Sequence, residues 1–182
     1  MTCIVGWIGK DRVYVGGDSA RAEGWQVRQT SINKVLKKEN FLFGYTTSFR
    51  MGQIIQHHVK LPERKKLQPI LDYLVVDLIE AIRKQLTEKG FTKKQDNRET
   101  GGSFIIGCSE GIFRVDADFQ VNSASDGLEA VGCGEDYALG AMKALNNVSD
   151  KQRIQRALET AAYFCGGVLP PFTILSVPKK QV

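Results

Sequence analysis

Three residues near the start of the chain have the types and spacing to build a nucleophile. Thr2 is followed sixteen positions later by Asp18 and thirty-two positions later by Lys34. Removal of Met1 would leave Thr2 with a side-chain hydroxyl and a free α-amine. Such an amine can take the proton from its own hydroxyl, one way of activating a weak nucleophile. An α-amine has an ordinary pKa of about 8, so a neighbouring cation is enough to keep it neutral and basic. Lys34 suits that cation, and Asp18 would keep it charged and oriented. Singly, Asp18 reads as a turn residue and Lys34 as one more lysine in a lysine-rich chain. Their joint spacing from Thr2 is what suggests chemistry.

Five segments in one order carry a resemblance. They are Thr2-Cys3-Ile4-Val5-Gly6, the run Val13-Tyr14-Val15-Gly16-Gly17-Asp18-Ser19-Ala20-Arg21, and Asn33-Lys34-Val35. Then come the run from Ala130 through Gly132-Cys133-Gly134 to Gly140, and Tyr163-Phe164-Cys165-Gly166-Gly167. Together, from Thr2 to about Val177, they resemble proteasome β-type subunits, the bacterial HslV-like branch most of all. In that resemblance Cys133 stands where the family has the Ser of a Gly-Ser-Gly loop. Ala162 and Cys165 stand at the Asp and Ser of its Asp-x-x-Ser-Gly-Gly segment.

The resemblance implies an N-terminal-nucleophile hydrolase cleaving peptide bonds, with Thr2, Asp18 and Lys34 at its centre and Cys133 in support. Gly44 is expected to supply the oxyanion donor through its backbone N–H, since a backbone donor needs close approach by substrate and glycine permits it. A strand-end glycine that only makes a turn is the alternative. Arg21, Ile32 and Tyr45 are the expected specificity residues. No cofactor is required, although the carbonyls of Ala162, Cys165 and Val168 would bind sodium by analogy. Relatives form homo-oligomeric rings, often stacked, that take peptides or unfolded proteins, sometimes from an ATP-dependent unfoldase. Two other readings stay open. One is a non-catalytic, proteasome-like structural subunit, favoured by Cys133 and Ala162. The other is a small-molecule amidase with the same nucleophile.

The elements that must position these residues can be read from periodicity. Cys3 to Ile8 and Arg12 to Gly16 flank the Gly9-Lys10-Asp11 break and read as a hairpin. Gln26 to Thr30, Lys34 to Leu36 and Asn40 to Tyr45 read as further strands. Ser48 is a plausible N-cap for a helix to about His58. Pro69 to Glu88 is the clearest helix, with Ile70, Leu71, Leu74, Val75, Leu78, Ile79 and Ile82 on one face. Residues 89–102 are polar and are expected to form a long exposed loop. Ser103 to Gly107, Gly111 to Val115 and Leu128 to Val131 read as strands of a second sheet, followed by helices over 135–146 and 149–164. Ser149-Asp150 opens the second of these, with no capping box expected at Arg153. Phe172 to Val177 is a last strand after Pro170-Pro171. This order predicts an α+β fold: a four-layer α-β-β-α sandwich of two antiparallel sheets, in one domain over residues 1–182.

Bulk properties narrow the field. The chain has 182 residues, 42% of them hydrophobic, and a net charge of +5. Its basic residues are spread and mixed with acids, which argues against a nucleic-acid stripe. No apolar run is long enough to span a membrane, and no secretory signal is evident. A cytoplasmic protein is expected. Cys3, Cys108, Cys133 and Cys165 are scattered without C-x-x-C pairs, so they read as reduced thiols rather than a zinc site. His57-His58 reads as surface, and Asp116, Asp118 and Asp126 lack calcium-loop spacing.

Overall fold

The computed structural model of the chain describes residues 1–180. Strands β1 (Ile4–Ile8) and β2 (Arg12–Gly17) form the expected hairpin. A second hairpin follows, β3 (Ala20–Glu23) and β4 (Gln26–Gln29), then β5 (Val35–Lys38) and β6 (Phe41–Tyr45). Helix α1 (Phe49–His57) starts on Ser48, whose hydroxyl accepts the Arg50 N–H. A longer helix, α2, runs on through Ile70–Asp72, Tyr73–Leu78 and Ile79–Glu88.

The middle of α2 is wound more loosely: the Ile79 N–H bonds to the Leu74 carbonyl, five residues back. That spacing decides which face is buried. Tyr73, Leu74, Leu78, Ile79, Ile82 and Leu86 go into the core, whereas Leu71 and Val75, expected beside them, are about half exposed. A wide turn advances the buried stripe by five residues once, so a strict 3.6-residue reading misassigns those two.

Residues expected as a loop form a hairpin instead, β7 (Lys93–Gln95) and β8 (Arg98–Thr100). Asp96 and Asn97 make its turn, both with positive φ (49° and 63°), the geometry that two-residue hairpins favour. Its strands are polar throughout, so no hydrophobic alternation betrayed them. Arg83 of α2 reaches Glu99 at 2.7 Å and anchors the hairpin.

The chain continues with β9 (Phe104–Cys108), β10 (Gly111–Val115), β11 (Val121–Asn122) and β12 (Leu128–Val131). Helices α3 (Glu135–Ala144) and α4 (Asp150–Phe164) and strand β13 (Thr173–Pro178) complete it. Contrary to expectation, α4 does carry a capping box. The partner of Ser149 is Gln152, at the third helical position, not Arg153.

One sheet has the order β12-β1-β2-β13, and the other β11-β10-β9-β6-β5. Every pairing within them is antiparallel. Period-two alternation sorts their side chains into three cores. Ile4, Val15, Leu42 and Ile105 fill the space between the sheets. Val5 and Ala130 meet α3 and α4 on one outer face, and Phe43 and Ile106 meet α1 and α2 on the other. The result is the expected α+β sandwich of four layers. The sheets approach closely where glycine faces a branched side chain. A Cβ on Gly44 would lie 2.4 Å from Ile4 Cγ2.

Candidate active site

The β1–β2 hairpin brings the first two candidates together. Its register pairs Ile4 with Gly17, so the residues just beyond, Cys3 and Asp18, meet. The Asp18 N–H bonds to the Cys3 carbonyl, and the Cys3 N–H donates to Asp18 Oδ1 at 3.0 Å. The Asp18 carboxylate also accepts the Ala20 N–H (2.7 Å) and the Leu169 N–H (3.3 Å). The fully buried carboxylate is thus held by three backbone donors besides any side chain.

Lys34 arrives from the other sheet, one residue before β5. Its Nζ donates to Asp18 Oδ1 and to Thr2 Oγ1, each at 2.9 Å. All three groups are buried. Burial pushes the Lys34 ammonium below its ordinary pKa, and the Asp18 charge pulls the other way. Thr2 therefore sits at the seam of the two sheets, its hydroxyl held by a lysine from across that seam.

Met1 is also part of the site. Its carbonyl accepts the Thr2 hydroxyl and lies 3.4 Å from Lys34 Nζ. The Thr2 nitrogen, which would become the α-amine on Met1 removal, donates to Cys133 Sγ at 3.3 Å. Cys133 occupies the turn between β12 and α3, and this turn is pressed against the Thr2 backbone. Gly132 has φ +106°, and a Cβ there would stand 2.2 Å from the Thr2 carbonyl oxygen. Gly132→Ala is expected to cost about 2 kcal/mol in strain and to displace Thr2. A thermal melt together with the rate of covalent labelling at Thr2 checks both.

A cavity beside Thr2 is lined by Ala20, Ala22, Lys34, Tyr45, Thr46, Thr47 and Phe49, among others. Tyr45 is there as expected, but Arg21 and Ile32 are not. Arg21 points to the opposite face of β3 from Ala20 and Ala22, pairing with Glu23 in solvent, and Ile32 is exposed. The alternation of β3 explains the exchange, and that strand was not foreseen.

Gly44 is likewise placed elsewhere. It lies inside β6, paired on both sides with Val35 and Ile105. The next amide, that of Tyr45, bonds to the Lys34 carbonyl on the β5 side. Successive strand amides alternate in direction, so the Gly44 N–H turns toward β9 and into the ladder. The backbone beside the cavity is Thr46-Thr47-Ser48. There the Thr46 and Ser48 amides have acceptors, Ser103 and Thr46. The Thr47 amide has none among the described residues. Thr47 also has φ +65°, an unusual conformation for a β-branched residue and a mark of local strain. Nothing in its residue type announces that.

The second thiol of this region is Cys165, directly after α4. Its Sγ lies 3.3 Å from Cys133 Sγ. The Cys165 carbonyl accepts the Val168 N–H at 3.0 Å in a tight turn, and Ala162 lies within the last turn of α4. These three residues offer backbone carbonyls only and no side-chain oxygen. Cys3 is fully buried, as expected for a core residue, and burial raises its thiol pKa well above the ordinary range. No described helix is long and apolar enough to cross a membrane.

No protein-family model matches the chain. Solved structures do. Thiobacillus denitrificans BPH superposes with a TM-score of 0.84 at 19% identity, covering 99% of this chain and 100% of that one. The same protein in complex with epoxomicin gives 0.83 at 20%, covering 98% and 100%. Eukaryotic HslV from Trypanosoma brucei gives 0.70 at 15%, covering 97% and 99%. The chain has the proteasome β-type, HslV-like fold. In this HslV-like frame the site lies at the sheet seam, and the N-terminal strand β1 delivers Thr2 to it.

Proposed function

We propose that the chain is a threonine peptidase that acts once Met1 has been removed. The observation that carries this is the Lys34 ammonium shared between Thr2 Oγ1 and Asp18, buried beside an open cavity. Thr2 Oγ attacks the peptide carbonyl as its proton passes to the Thr2 amine. The Lys34 charge keeps that amine's pKa low and holds the hydroxyl in line. The developing oxyanion takes the N–H of Thr47, a cavity-lining residue whose amide has no acceptor among the described residues. The amine then protonates the departing peptide nitrogen, and water, deprotonated by the same amine, releases the acyl group from Thr2. Cys133 Sγ holds the amine from the far side, a weaker partner than a hydroxyl would be. No step is assigned to sodium.

The same fold as HslV supports a homo-oligomeric ring, stacked or single, with the Thr2 cavity facing an inner chamber. Peptides and unfolded proteins are its proposed substrates, an ATP-dependent unfoldase its proposed partner, and the cytoplasm its proposed location. The small alanines 20 and 22 leave room for a side chain of the substrate.

Intact mass before and after a peptide epoxyketone such as epoxomicin tests this reading, because the reagent needs both the free amine and the hydroxyl. Loss of Met1 and one adduct per chain is the expected result. A second reading, a non-catalytic subunit, draws on the Met1 carbonyl seated against Thr2 and Lys34. Retained Met1, or a processed chain that stays unlabelled, would establish that reading instead.

The pH profile follows from Lys34. Its ammonium must be present to serve the site, and burial lowers its pKa from the ordinary 10.5. The labelling rate is therefore expected to fall on the alkaline side below pH 10.5. A limb at or above that value would remove Lys34 from the mechanism.

A further inference from the structure

The two thiols beside Thr2 are not used by the proposed reaction as a pair, yet they are placed as one. Cys133 Sγ and Cys165 Sγ are 3.3 Å apart, and a disulfide bond is about 2.05 Å long. The sulfurs need to close by only about 1.3 Å between them. Both residues lie in connectors rather than inside a helix or strand, Cys133 before α3 and Cys165 after α4. Cys133 is exposed and Cys165 partly so, whereas Cys3 and Cys108 are buried. Cys133 Sγ is at the same time 3.3 Å from the Thr2 nitrogen and 3.5 Å from the Thr2 carbonyl oxygen.

We propose that Cys133 and Cys165 are a redox modification site: low-molecular-weight disulfides close them to a disulfide that weakens Thr2, and thiols reopen it. The control of Thr2 rests on the threonine-peptidase reading; the formation of the disulfide does not. One thiolate of the pair attacks a sulfur of the external disulfide, forming a mixed disulfide and expelling one thiolate. The other protein thiolate then attacks the mixed disulfide, expelling the second. Two protein thiols are oxidised to one protein disulfide, the external disulfide is reduced to two thiols, and the two protons pass to the expelled thiolates. Cys133 thereby loses its S–H and is drawn away from Thr2 toward Cys165. The Thr2 amine and carbonyl both lose a partner.

The test uses the purified, Met1-processed protein incubated with oxidised glutathione and then freed of it. Thiols counted in denaturant are expected to drop from four to two, and a nonreducing peptide map to show Cys133 linked to Cys165. The rate of epoxyketone labelling is expected to fall about tenfold, the order of one lost hydrogen bond at a reacting group, and to recover with dithiothreitol. In Cys165→Ser, oxidised glutathione should leave the labelling rate unaltered relative to the untreated variant. Four free thiols, or only glutathione adducts, would overturn the pair. A Cys133–Cys165 disulfide with undiminished labelling, or a Cys165→Ser variant slowed as much as wild type, would overturn its control of Thr2. If the reduced protein takes no adduct at all, the peptidase reading fails and the control falls with it. The thiol count and the map still decide the disulfide.

Discussion

Thr2→Ala is expected to abolish adduct formation with a peptide epoxyketone and to lower peptide hydrolysis by a factor of at least ~10⁴. The fold should survive. Thr2 is buried, but its side chain is small, and Lys34 Nζ keeps Asp18 Oδ1 as a partner once Oγ1 is gone. A far-ultraviolet circular dichroism spectrum unchanged beside a silent active site would separate loss of the nucleophile from loss of structure. Thr2→Ser sharpens the case, since it keeps the hydroxyl and the amine and lacks only the methyl group. It should retain labelling. If Thr2→Ala still labels, the adduct lies elsewhere, and the exposed Cys133 is the first place to look.

The second large effect concerns the buried ion pair, and its two halves are not equivalent. Lys34→Met removes the cation but leaves Asp18 with three backbone donors, those of Cys3, Ala20 and Leu169. Asp18→Asn leaves a buried ammonium without its counter-charge and puts an amide NH₂ against at least one backbone N–H. Breaking a buried pair costs roughly 3–5 kcal/mol. Lys34→Met is expected near the lower end of that range and Asp18→Asn at or above the upper end. Chemical denaturation of both variants checks the order. Both should lose activity, so the readout that discriminates is stability. Equal losses would mean that the three backbone donors do not stabilise Asp18 once the ammonium is gone.

The contrast shows why Thr2, Asp18 and Lys34 could be read in the sequence. A tight hairpin fixes the register of β1 and β2, and the register turns a sixteen-residue spacing into the Cys3–Asp18 contact. Most strands and the four main helices were legible for a similar reason, since each buries a regular face, but sheet membership was not: Leu128–Val131, expected in one sheet with residues 103–107 and 111–115, pairs with β1 instead, and β9 joins β6. What escaped depends on direction rather than residue type. Gly44 and Thr47 are three residues apart, but the Gly44 amide faces a neighbouring strand and the Thr47 amide has no acceptor among the described residues. Only the positive φ of Thr47 marks the difference, and threonine does not advertise it. The β7–β8 hairpin escaped because its residues are polar on both faces. The Cys133–Cys165 contact joins the start of one helix to the end of the next, and no sequence periodicity encodes that meeting.

The seam between the sheets carries a further consequence. Thr2 and Asp18 belong to one sheet and Lys34 to the other, and their alignment depends on contacts as close as Gly44 against Ile4. The site therefore works as a gauge of how the two halves of the sandwich are seated. Heat, pressure or a swollen interior that shifts the sheets by a fraction of a bond length would part Lys34 from Thr2 while every strand and helix remained intact. For the proposed reaction, the working state would then be narrower than the folded state, and activity would be lost before the protein melts.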